Sequence, residues 1–141
     1  MTDAERPSAV RLLRSAALSP TEYACAATAP ADARLVFLAG SCPLDAGGAT
    51  VAPGDHAAQA EQCIANLRQA LADAGARMTD VLSTRVLVAS SRQADLVAAW
   101  RVVRDAFGEH DVPSTLLGVT VLGYDDQLVE VEAVAAVVDA P

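Results

Sequence analysis

Apolar residues recur along this chain with two different periods, and the change of period marks its elements. Between Asp55 and Ala74 they fall at Ala57, Ala60, Ile64, Leu67, Leu71 and Ala74, steps of three and four that gather them on one stripe of a helix. Asp55 is placed to cap this helix and Gly75 to stop it. A second helix is expected to start near Ser90 or Ser91 and to present Leu96, Trp100, Val103 and Phe107 on one stripe before Gly108. Elsewhere the pattern is strand-like. Residues 34–40, rich in branched and aromatic side chains, read as a strand, as do 80–89, with Leu82, Thr84, Val86 and Val88 on one face. Segments 115–121 and 128–138 are two more strands, joined by "LGYDDQ", whose glycine and paired aspartates predict a hairpin. "RLLRSAAL" and "EYACAAT" add two short strands separated by Ser19 and Pro20. Residues 1–10 read as a flexible lead and 11–141 as a single domain. Its expected class is α/β (α+β), with a mixed six-stranded sheet carrying two helices on one face.

The last strand raises the chemical question. Side chains alternate between the faces of a strand, and Val129, Val131, Ala133, Ala135 and Val137 make one face wholly apolar, suited to lie under the helices. Glu130 and Glu132 then share the other face, with Cα atoms about 6.5 Å apart. Leu128, Val134, Ala136 and Val138 join them there, too much apolar surface for a face left in water, so a second subunit is expected to cover it. A carboxylate at such a seam is partly desolvated and suited to exchanging protons. The plainer possibility is that both glutamates sit at a solvated rim.

Composition narrows the function classes. The formal net charge is -8 and no run of Lys or Arg offers a footprint for phosphates, so nucleic acid is a poor partner. The start, "MTDAERPSAV", lacks the basic and apolar regions of a signal peptide, and no apolar stretch is long enough to span a bilayer. The expectation is a cytoplasmic protein with no membrane partner. Three cysteines, Cys25, Cys42 and Cys63, form no CxxC pair, and His56 and His110 stand apart from other ligand types; neither a disulfide framework nor a metal or other cofactor is expected. The loop "SCPLDAGGATVAPGD", punctuated by glycine and proline, is long for a bare connection and a candidate for function.

"RLVFLAGSCPLD", "CIANLRQALADAGARMTDVLSTRVLV" and "QLVEVEAVAAV", in that order, resemble the Rid family of reactive enamine/imine deaminases, also called the YjgF or L-PSP endoribonuclease family. The resemblance runs from Tyr23 to Val138. It implies a chorismate-mutase-like fold and a homotrimer, in which three sheets form a central barrel and small-molecule clefts lie between neighbouring subunits. It also implies hydrolysis of an enamine or imine to a ketone and ammonia, with no cofactor. In that family an arginine holds the substrate carboxylate and a glutamate positions the hydrolytic water. Carried onto this chain, the glutamate is Glu130, with Glu132 structural or polarising. Tyr23 lines the cleft, Gly40 matches the glycine of an "SGQ" loop whose glutamine is here Ser41, and Cys42 follows.

One departure bears on substrate. Where active members read "ARS", this chain reads "PST", so Ser114 replaces the arginine and Thr115 follows it. A hydroxyl supplies no charge, and losing a bidentate charged contact weakens carboxylate binding by about 2–4 kcal/mol. Trp100 stands where an asparagine is common, either narrowing the cleft or packing in the core; Arg85 either restores a cation or forms an ion pair. The resemblance therefore implies a hydrolase of an enamine or imine other than the simple amino-acid-derived ones. The alternatives are a non-catalytic trimer that binds a metabolite or partner, and a ribonuclease, which the acidic charge and the lack of a histidine pair disfavour.

Overall fold

Helix and strand boundaries follow local signals closely, while the pairing of strands does not. The computed structural model describes residues 6–140; residues 1–5 of the expected flexible lead and Pro141 lie outside the described residues. The elements are β1 (Arg11–Leu13), β2 (Ala26–Thr28), β3 (Arg34–Phe37), α1 (His56–Asp73), β4 (Val81–Ala89), α2 (Gln93–Phe107), β5 (Ser114–Val119) and β6 (Val129–Val137).

Helix α1 starts where the Asp55 carboxylate accepts the amide of Ala58 at 3.0 Å, satisfying one of the free donors of the first turn. It ends before Gly75, whose φ of +75° is the left-handed conformation that a side chain disfavours. Its buried stripe is Gln59, Ala60, Cys63, Ile64, Leu67 and Leu71. Helix α2 begins at Gln93 and buries Ala99, Val103 and Phe107, with Leu96 and Trp100 half-buried beside them.

Two sheets form. A four-stranded mixed sheet runs β3-β6-β4-β5, and β1 with β2 makes a separate antiparallel ribbon, so the six strands expected in one sheet are divided four and two. The expected hairpin between β5 and β6 is absent. Helix α2 carries the chain across one face and returns β5 parallel to β4, on the sheet's edge, whereas β6 lies between β3 and β4, antiparallel to both. A turn does occur at "LGYDDQ", with the Gln127 amide donating to the Tyr124 carbonyl at 3.1 Å, but the strands it joins are separated by β4. A register irregularity between Val81 and Ser83 also buries Val81 and leaves Leu82 half-exposed, while Thr84, Val86 and Val88 share one buried face as expected.

The helices cover the face that carries Val129, Val131, Ala133, Ala135 and Val137, all buried. On the opposite face Leu35 and Phe37 of β3 are 56% and 74% exposed, and they register against Ala136 and Val134 of β6. Leu117 of β5, at the opposite edge of the sheet, is also exposed. Arg6 is buried and its guanidinium makes two hydrogen bonds to Asp80, closing the end of the domain where β4 begins.

Candidate functional site

Glu130 gains its setting from a break in the β3–β6 ladder. Beyond Phe37 the chain bulges and pairs with β6 again at Ser41, whose amide and carbonyl bond Val131 at 2.7 and 3.0 Å. Gly40 sits in this bulge over the Glu130 side chain. A Cβ on Gly40 would stand 2.5 Å from Glu130 Oε2 and 2.7 Å from its carboxyl carbon, so the absence of a side chain there is what admits the carboxylate. Two neutral donors reach the other oxygen. The Cys42 thiol lies 3.2 Å from Oε1 and the Gln127 side-chain amide donates to it at 3.2 Å. Burial, then the hydrogen bond to Glu130 and its charge, push the Cys42 thiol up to about 11, so it remains a protonated donor at neutral pH.

The loop holding these groups is itself tied down. Asn66 of α1 donates to the carbonyls of Cys42 and Leu44, both at 2.9 Å, and the buried Ser41 hydroxyl donates to the Cys63 carbonyl at 2.6 Å. Gln127 is buried, accepts the Tyr124 amide at 3.1 Å and donates to the Val129 carbonyl at 3.1 Å. Gln59, fully buried on α1, accepts the Leu128 amide at 2.7 Å and donates to the Asp126 carbonyl at 2.9 Å. A hollow of about 270 Å³ adjoins the loop, lined by Gly40, Ser41, Cys42, Asn66 and Tyr124 among others.

The remaining expected residues assemble elsewhere. Tyr23, Trp100, Ser114, Thr115 and Leu116 line a second hollow of about 400 Å³ at the open edge of β5. Tyr23 and Trp100 meet edge to face, with ring centroids 6.0 Å apart. The Trp100 indole donates to Glu22 at 2.6 Å, and Arg104 donates to the same carboxylate at 3.1 Å. The indole contact first, and Arg104 with it, hold the Glu22 carboxyl below the usual carboxylate range. Trp100 packs against the core, one of the two alternatives expected for it, and its outer part lines this hollow. The Ser114 hydroxyl is engaged with that of Thr84 at 2.7 Å. Arg14 pairs with Asp111 and donates to the Tyr23 carbonyl at 2.9 Å, fixing the segment that presents the tyrosine. Two larger hollows, of about 500 and 530 Å³, lie at the start of α2 and along residues 14–25 and contain none of the expected site residues.

Within one chain the two groups do not meet. Ser114 registers with Thr84, whose β6 partner Ala133 is on the helix-covered face, whereas Glu130 registers with Leu87 on the uncovered face. Two strand spacings and three residues separate their backbones, about 14 Å, on opposite sides of the sheet. Arg85 does not reach either group. It faces Glu132 across β4 and β6, its guanidinium 3.8 Å from that carboxylate, with both side chains substantially exposed. Sequence reading missed Gln127, Gln59, Asn66 and Glu22. Gln59 and Asn66 belong to a segment read only for apolar periodicity, and Gln127 ends "LGYDDQ", read only as a turn. Glu22 has a visible signal in its place next to Tyr23, but its bond to Trp100 spans 78 residues of sequence.

No cluster of His, Cys, Asp and Glu suited to a metal occurs among the described residues. No helix among them is long and apolar enough to cross a membrane.

Comparison with known proteins agrees on one family. A search of curated proteins found no match. The Rid-family protein YyfB from Yersinia pestis superposes with a TM-score of 0.85 at 27% identity, covering 92% of this chain and 99% of that one. Rv2704 from Mycobacterium tuberculosis, of the YjgF/YER057c/UK114 family, gives a TM-score of 0.61 at 27% identity over 91% of this chain and 99% of its own. E. coli TdcF with bound serine gives 0.64 at 22% identity over 89% and 94%, a likeness of fold. The family model described as Endoribonuclease L-PSP matches residues 15–137, so the chain belongs to the L-PSP endoribonuclease family, the Rid or YjgF family.

Proposed function

We propose that this protein is a Rid-type hydrolase that converts a reactive enamine or imine into a carbonyl compound and ammonia, with Glu130 as the general acid and base. The observation that carries this is the Glu130 carboxylate lodged against Gly40 with both of its hydrogen bonds, from Cys42 and Gln127, on Oε1. Among the described residues Oε2 has no such donor, which suits it to a water or a substrate nitrogen. Water adds across the C=N bond as Glu130 takes its proton, and the proton passes to nitrogen to give a carbinolamine. The second proton transfer, from the new hydroxyl to nitrogen, forms the carbonyl as the C–N bond breaks and ammonia leaves.

The active unit is a homotrimer. Leu35, Phe37 and Leu117 supply an exposed apolar face of the kind that stable homo-oligomers bury. In that assembly the Tyr23, Trp100 and Ser114 group of one subunit is brought against the Glu130 group of its neighbour, completing a cleft that a single chain leaves in halves. The substrate is an imine whose recognised end carries no carboxylate. The hollow lined by Tyr23, Trp100, Ser114, Thr115 and Leu116 presents aromatic, aliphatic and hydroxyl surface without a cation, and the Ser114 hydroxyl is already bonded to Thr84.

The test generates imines in situ, carboxylate-bearing ones with an amino-acid oxidase and uncharged ones with an amine oxidase, and traps survivors with semicarbazide. The expected result is faster loss of the uncharged imines with the native protein and none above background with Glu130→Gln. Equal inertness of native protein and Glu130→Gln toward both sets would overturn the hydrolase reading in favour of a binding protein.

A further inference from the structure

The two oxygens of Glu130 stand in different environments. Oε1 receives the Cys42 thiol and the Gln127 amide, each at 3.2 Å, from two separate loops that converge on it. Oε2 lies instead against Gly40, where a Cβ would stand 2.5 Å away. Gln127 is 4% exposed, and its amide is oriented by the Tyr124 amide on one side and the Val129 carbonyl on the other, so it cannot turn away without leaving buried groups unpaired. Cys42 is held by the Asn66 bond to its own carbonyl.

We infer that Cys42 and Gln127 are positioning residues that anchor Oε1 of Glu130 and so make Oε2 the working oxygen. The inference rests on Glu130 being the acid and base proposed above, and it assigns the proton a place. Two donors aimed at Oε1 leave no room for a hydrogen there, so a proton taken up by the carboxylate resides on Oε2, next to Gly40. A carboxylate free to rotate would present either oxygen and would hold an attacking water in several geometries. Anchoring one oxygen removes that freedom before substrate arrives, the preorganisation on which proton transfer depends. The thiol suits this task because it is pushed up to about 11 and donates at neutral pH without adding a charge.

Cys42→Ala removes one donor with little change in volume, and Cys42→Ser restores a donor at the same position. The hydrolysis assay should show kcat for Cys42→Ala lowered by about tenfold with KM within about twofold, and most of that loss recovered in Cys42→Ser. Gln127→Met, of similar shape but without the amide, should lower kcat by at least as much. A second readout needs no activity. In protein labelled with ¹³C at the glutamate carboxyls, with Glu130→Gln giving the assignment, the Glu130 resonance should shift in Cys42→Ala and return in Cys42→Ser. An unmoved resonance in Cys42→Ala overturns the positioning role, as does an equal loss of kcat in the alanine and serine variants. A resonance that shifts and returns in a protein that hydrolyses no imine sustains the positioning while the hydrolase reading fails.

Discussion

The Glu130 group and the Tyr23 group differ in how they are built. Around Glu130 the geometry is imposed by backbone: a broken ladder, a glycine under the carboxylate, and loops pinned by Asn66, Gln59 and Gln127. Around Tyr23 it is set by side chains on an edge strand and on the flank of the buried stripe of α2, one of which, Trp100, is held by a surface carboxylate. A backbone-built site resists change because several elements must move at once, whereas an edge site can exchange its side chains singly. Under the proposed function, the same contrast accounts for a chain that keeps the Glu130 carboxylate and carries Ser114 where the family resemblance implies an arginine anchor.

The largest test of this contrast is to prevent the halves from meeting. Phe37→Asp places a charge on the uncovered face at a position 74% exposed in one chain, and should leave a folded monomer by light scattering with imine hydrolysis lowered at least about a thousandfold. Next comes the backbone-built half itself. Gly40→Val forces a branched side chain onto Glu130, and kcat should fall about a hundredfold with thermal unfolding only a few degrees lower.

Alteration of the edge half should change preference more than rate. Ser114→Arg restores a guanidinium at the open edge, and the preference for carboxylate-bearing over uncharged imines should rise about thirtyfold, the equivalent of about 2 kcal/mol. The smallest effect belongs to Glu132. It shares its strand face with Glu130 but forms an exposed pair with Arg85 at 3.8 Å, so Glu132→Gln should leave kcat within about twofold and cost less than about 1 kcal/mol in denaturant unfolding. A large loss of activity in Glu132→Gln would mean that the two glutamates share the chemistry.

How much of this was legible in the sequence depends on the distance over which each feature is decided. The span, cap and stop of α1 are local, and Asp55, Gly75 and the three-and-four repeat disclosed them. The alternation along β6 likewise gave the faces of Glu130 and Glu132 correctly, because period is a property of the strand alone. Strand order is not local. "LGYDDQ" makes its turn, yet β4 occupies the place beside β6 that a hairpin would have given to β5, an outcome set by the α2 crossover. Buried amides were equally hidden, since Gln59 and Gln127 have the composition of surface residues and are recognised only by the carbonyls and amides they satisfy. Resemblance supplied Glu130, Tyr23 and Gly40 as candidates; that the first two stand in separate groups within one chain is visible only in the structure.

The most direct measurement of the central claim is complementation between two inactive variants. Glu130→Gln disables one half, and Ser114→Trp, filling the hollow beside Tyr23 and Trp100, disables the other; each alone should hydrolyse no imine. If every cleft takes one half from each of two neighbouring subunits, unfolding and refolding an equal mixture should restore about a quarter of native activity, since a quarter of randomly formed interfaces pair two intact halves. A mixture as inactive as its components, with trimers verified by light scattering, would contradict the shared cleft and the function built on it.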